Sequence, residues 1–128
     1  MGGRVVHFEI PFDDGDRARG FYRDALGWEV SVMPEMDYTM AMTGPTGAEG
    51  MPKEPGFING GMFRRVEGPL RGPVLVVDVE AIDPALARIE ELGGATVLAR
   101  MPVGQMGFVA YFSDPEGNVL GLWETAAG

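Results

Sequence analysis

The 128-residue chain contains no cysteine and has one histidine, His7, and one lysine, Lys53. Without cysteine there is neither a disulfide framework nor thiolate chemistry. Lys53 lies in a Pro/Gly-rich stretch, which argues against a buried Schiff-base lysine. Neither a signal-peptide pattern nor a run of about 18 apolar residues is read, so a soluble, cytoplasmic protein is the expectation. Basic residues are scarce. Ten Lys and Arg stand against 19 Asp and Glu, a formal charge of −9. Such a surface repels phosphate, so neither nucleic acid nor an anionic membrane is an expected partner. Neutral or cationic ligands are easier to accommodate.

What the chain does have is glycine and proline, 20 and 10 residues, which punctuate many short elements. Asp114-Pro115-Glu116-Gly117 reads as a tight turn between the alternating runs Phe108–Phe112 and Val119–Trp123, and so as a hairpin. With four turn residues, Ser113 faces Asn118, and the pairs Phe112–Val119, Ala110–Gly121 and Phe108–Trp123 follow. One face then carries Phe108, Phe112 and Trp123, and the other carries Val109, Tyr111, Leu120 and Leu122.

Earlier in the chain, Arg4–Ile10 alternates as a strand ended by Pro11. Asp13 to Asp16 offers helix caps, Ala18, Phe21, Tyr22, Ala25 and Leu26 recur at helical spacing, and Gly27 stops the helix. Trp28–Met33 and Tyr38–Thr43 form a hairpin around Pro34-Glu35-Met36-Asp37. The loop 44–56 reads either as a lid or as a tolerated insertion. Phe57–Arg65 is a further strand whose Gly60-Gly61 marks a bulge or a close backbone approach.

The pattern then repeats. Pro73–Val79 is a strand, Asp83-Pro84 a cap and first helical residue, Leu86, Ile89 and Leu92 the apolar stripe, and Gly93-Gly94 the stop. Ala95–Met101 and the closing hairpin complete it. Each half is strand-helix-strand-strand-strand, so the chain reads as a single α+β domain of two βαβββ modules, 1–66 and 71–126. Matching Tyr38–Gly47 to Phe108–Gly117 extends the face assignment across the halves. His7, Glu9, Tyr38, Met40, Met42, Phe108, Phe112 and Trp123 then face away from the helices. Two curved mixed sheets of this kind, with helices on their outer faces, would enclose an aromatic and Met-lined cavity.

His7-Phe8-Glu9-Ile10, the helix end Arg19–Trp28 and Asp114–Asn118 with its strand resemble the vicinal oxygen chelate superfamily of glyoxalase I, extradiol dioxygenases and bleomycin resistance proteins. They look most like an actinobacterial branch of single-chain, two-module members. The resemblance spans nearly the whole chain and implies a homodimer with two cavities. It also implies four divalent-metal positions, on the first and last strands of each module. These read His7, Gly60 or Gly61, Pro73 and Gly121. Three lack a donor side chain, and catalytic sites of this type usually need three protein ligands. No metal and no other cofactor is therefore expected.

The candidate ligand-binding residues are His7, Glu9, Tyr38, Met40, Met42, Asn59, Met62, Phe108, Phe112 and Trp123. His7 reads either as a base or hydrogen-bond donor oriented by Glu9, or as a vestigial position satisfied by a neighbour. Trp123 with Phe108 reads as a stacking platform or as core, and the methionines as an adaptable lining or as filler. The resemblance and the ligand count together point to a metal-independent binding protein. Its expected role is to sequester an aromatic or hydrophobic, in some cases cationic, natural product, as in antibiotic binding and resistance. The alternative is an enzyme, either a lyase or isomerase using His7 and Glu9 without metal, or a dioxygenase-like protein whose metal ligands lie at positions other than these.

Overall fold

The computed structural model describes residues 2–127. Its contacts gather into two units. One is His7–Pro73, and the other joins the N-terminal residues through Val6 to Val74 and beyond. Arg4 belongs with the second unit because its carbonyl accepts the Asp78 N–H at 2.8 Å.

The first unit contains β1 (Val5–Phe12) from His7 onward, α1 (Gly15–Leu26), β2 (Glu29–Met33), β3 (Tyr38–Met42) and β4 (Asn59–Arg64). The strands lie in the order β2-β3-β4-β1. β1 runs parallel to β4, and the other pairs are antiparallel. Asp14 caps α1 by accepting the Arg17 N–H, and Gly27 closes it at φ 72°. A left-handed residue there costs glycine least. Pro11 does not end the strand, which continues to Phe12. Proline suits extended backbone and forfeits only one donor near a strand end.

The helix-facing side of this sheet is aromatic. Phe8 meets Trp28 at 5.4 Å between ring centroids, and Trp28 stacks on Tyr22 at 5.0 Å. Arg19 reaches from α1 to the buried Thr39 hydroxyl at 3.1 Å. The apolar stripe read from the sequence is only partly used, since Phe21 and Leu26 remain mostly exposed. The loop 44–56 is tied down: Thr46 bridges Pro52, and Asn59 accepts the Thr43 N–H and donates to the Thr46 hydroxyl.

The second unit contains β5 (Val74–Asp78), α2 (Ile82–Glu91), β6 (Ala95–Val103), β7 (Gly107–Ser113) and β8 (Val119–Thr125). Its strand order β6-β7-β8-β5, with β5 parallel to β8, repeats the first unit's topology. Ile82, Leu86, Ala110 and Leu122 form the core, with Phe108 and Phe112 packed against them.

Two expectations are corrected here. Helix α2 begins at Ile82, before the expected Asp83-Pro84 cap, and no local side chain caps it. The Glu124 carboxylate of β8 does so instead, accepting the Ile82 N–H at 2.8 Å while holding Arg100 at 3.1 Å. Pro84 still falls within the first turn, where its missing N–H costs no helical bond.

The β7–β8 register is also one residue from the expected one. Gly117 lies at φ 86° and donates to the Asp114 carbonyl, and the Asp114 N–H bonds the Asn118 carbonyl. The turn thus closes on three residues, Pro115 to Gly117, a type I turn followed by a left-handed residue. Ser113 therefore pairs with Val119, Phe112 with Leu120, and Phe108 with Glu124. A one-residue slip turns a whole strand over. Phe108 and Phe112 face α2, and Val109 and Tyr111 share the face of Gly121 and Trp123.

Arg100 and the Ile82 N–H hold the Glu124 carboxyl below the ordinary carboxylate range. A lowered folded pKa gives stability that is present above the unfolded value and is lost as pH falls through the folded one. Glu124→Gln is expected to lower the melting temperature at neutral pH and to flatten the acid side of the stability profile. Thermal melts across pH check this, and an unchanged acid limb would remove Glu124 as the cap.

Candidate functional site

Strand alternation places His7 and Glu9 on the face of β1 opposite Phe8 and Ile10. The β4 register sets Asn59 beside His7 and Gly61 beside Glu9, and Met40 of β3 lies next to Gly61. Tyr38, two residues before Met40, shares that face. A Cβ built on Gly61 would collide with the Tyr38 phenol, whereas one built on Gly60 would collide with the Phe8 ring. The two glycines thus let an aromatic ring lie close to the sheet on each side. The feature is a close approach, since the β4 register is continuous through both residues. Of the two glycines at which the resemblance puts a metal position, Gly61 is the one on the His7 face.

Over Gly61 the Tyr38 hydroxyl donates to Glu9 Oε2 at 2.9 Å and meets His7 Nε2 at 2.9 Å. Glu9 is only 8% exposed, so its charge needs this satisfaction. Burial pushes the His7 pKa down, with the nearby Glu9 charge opposing that shift. At neutral pH the imidazole is therefore uncharged. The sequence pointed to His7 and Glu9 as a pair, but the residue joining them is Tyr38. Only the close approach implied by Gly61 hinted at that link.

The other candidates divide. Met40 and Met42 share the face of His7 and are partly buried. Asn59 is on that face too, but its amide is engaged in tying down the loop 44–56. Met62 lies beside Ile10 and Thr39 on the helix-facing side and is fully buried. In the second unit Trp123 pairs with Val109, and its ring covers Gly107. The expected Trp123–Phe108 platform is not formed, because Phe108 lies on the opposite face under the Arg100 guanidinium, 3.6 Å from its ring centroid. Phe112 likewise packs toward α2.

The donor set does not fit a divalent ion. Gly61, Pro73 and Gly121 have no side-chain donor, and the space above Gly61 belongs to Tyr38. Glu124, the nearest carboxylate in sequence to Gly121, caps α2. Among the described residues no three His, Cys, Asp or Glu side chains gather as a metal site. Among them, too, no helix is long and apolar enough to cross a membrane.

Residues 4–44 match the family model described as bleomycin resistance protein-like N-terminal. No curated protein matches the chain. Solved structures share the fold over nearly its full length. A Streptomyces coelicolor methylmalonyl-CoA epimerase in complex with 2-nitronate-propionyl-CoA is 21% identical with a TM-score of 0.65, covering 99% of this chain and 100% of its own. A hypothetical protein from Bacillus halodurans is 15% identical with a TM-score of 0.67, covering 100% and 98%. A glyoxalase/bleomycin resistance protein/dioxygenase superfamily member from Vibrio splendidus is 22% identical with a TM-score of 0.61, covering 95% and 98%. The chain shares the α+β fold of these structures, and residues 4–44 are similar to the bleomycin resistance protein-like N-terminal domain.

Two outcomes follow from the site. Gly61→Ala is expected to cost about 1–3 kcal/mol by overpacking against Tyr38, read by urea denaturation; a neutral effect would mean that Tyr38 is not held there. His7 binds its proton more readily in the unfolded chain, so the stability it allows is full above the unfolded value of 6.5 and declines on acidification to about pH 5. His7→Gln should remove that decline, as urea melts at the two pH values will show.

Proposed function

We propose that this protein is a metal-independent small-molecule-binding protein of the bleomycin-resistance type, which sequesters an aromatic or hydrophobic natural product as a homodimer. The observation that carries the reading is the Tyr38 phenol over Gly61. Gly61, where the resemblance puts a metal position, offers no donor side chain, and a hydrogen-bonded phenol lies over it. The surrounding face is mixed, with Met40 and Met42 beside a few oriented polar atoms, the composition usual for pockets that bind organic molecules. The match of residues 4–44 to a bleomycin-resistance-like model supports the same class, and the net charge of −9 favours cationic over anionic ligands. Burying a few hundred Å² of apolar ligand surface at about 25 cal/mol per Å² supplies several kcal/mol before entropic costs. Sequestration needs no more.

A second reading is a metal-free enzyme. The His7–Tyr38–Glu9 chain favours it, because it holds a neutral imidazole next to a carboxylate through one phenol, an arrangement suited to general acid–base work.

Titration with a panel of planar, cationic antibiotics separates the two. Trp28 lies in the same unit as His7 and stacks on Tyr22, so Trp123→Phe leaves it as the only tryptophan reporter. Saturable quenching at one ligand per chain, unchanged by a chelator and with the ligand recovered intact, is the expected result. Chemical conversion of the ligand, or loss of binding on chelation, would overturn the binding-protein reading.

A further inference from the structure

We infer that Nδ1 of His7 is a hydrogen-bond acceptor that selects ligands carrying an N–H or O–H donor; the inference rests on the small-molecule reading of this same face. Tyr38 has one hydroxyl hydrogen, and it is given to Glu9 Oε2. The His7 Nε2 facing the phenol oxygen at 2.9 Å must therefore bring its own hydrogen. In a neutral imidazole only one nitrogen carries hydrogen, so the other, Nδ1, holds a lone pair. The low-dielectric setting that makes Glu9 costly to bury also keeps the ring uncharged.

Nδ1 has no protein partner among the described residues. Nor does any buried side-chain nitrogen or oxygen among them lack a hydrogen bond. An unbonded Nδ1 is consequently an accessible one. The Glu9 charge, relayed through the phenol to the ring along one chain of hydrogen bonds, opposes part of the burial effect and so supports Nδ1 as an acceptor. A ligand presenting only acceptors would set lone pair against lone pair and leave Nδ1 unsatisfied. A donor fixes orientation and lets a largely apolar face discriminate between molecules of one shape.

The single histidine makes the test direct. Long-range ¹⁵N–¹H NMR of the ligand-free protein reads the tautomer without assignment ambiguity, and the Nε2–H form is expected. Binding is then compared for phenol, benzylammonium and anisole, the last matching phenol in shape without its donor. One net hydrogen bond predicts that a donor binds about three- to tenfold tighter than anisole, a gap that closes in His7→Phe. A gap for phenol alone identifies a neutral donor, and a gap for benzylammonium alone a cationic one. The Nδ1–H tautomer in the wild-type protein overturns the inference, and so does anisole binding as tightly as both donors. Absence of binding by either donor at millimolar concentration overturns it as well. The tautomer and the phenol–anisole gap are both read on the wild-type protein, so they decide the matter even if His7→Phe misfolds. A donor gap in a protein that takes no antibiotic keeps this inference and removes sequestration; antibiotic binding without a gap does the reverse.

Discussion

The site depends on one phenol hydroxyl held over a residue with no side chain. Glu9 is nearly buried, and a buried carboxylate must be satisfied or neutralised. Tyr38 supplies the hydrogen bond, and it can reach Glu9 only because Gly61 leaves the sheet surface open beneath it. His7 then closes the chain from the other side of the oxygen. His7, Tyr38 and Glu9 become one hydrogen-bonded network on a face that also carries Met40, Met42 and Asn59. The phenol that joins them also fills the space above Gly61.

The second unit shows a comparable economy around Glu124. Its carboxylate serves as the missing N-cap of α2 and as the partner of Arg100, whose guanidinium covers Phe108. Helix, last strand and β6 are thereby tied through one side chain. A helix whose own N-terminal sequence provides no bonding cap needs such help, because its first N–H groups have no intrahelical acceptors. Glu124 is consequently committed to the helix side of its sheet, where it packs the fold and does not face Trp123.

Much of the architecture is legible in the sequence, and the failures have identifiable physical origins. The duplicated βαβββ order, Gly27 as a helix stop and the Pro34–Asp37 hairpin follow from local patterns of period, cap and turn, whereas Gly60-Gly61 leaves a bulge and a close approach equally open. Phe108 and Phe112 fall on the wrong face in a sequence reading because the closing turn holds three residues, not four. Asp-Pro-Glu-Gly is compatible with either count, and only the left-handed Gly117 with its Asp114–Asn118 pairing decides. Aligning Tyr38 with Phe108 carries the slip across the repeat. The α2 cap escapes the sequence because it comes from 42 residues away, where no local signal reaches. Tyr38 can be placed on the face of His7 and Glu9, but its position between them depends on diagonal reach across a glycine, which strand alternation alone does not specify.

The central claim is that this fold binds an organic molecule without a metal ion. A native mass spectrum of protein produced in medium supplemented with divalent zinc, manganese and iron, and purified without chelator, tests it most directly. The account predicts a dimer mass with no stoichiometric metal, which then takes up one organic ligand per chain from an antibiotic panel. A dimer carrying one divalent ion per chain, lost together with ligand binding on chelation, would contradict it.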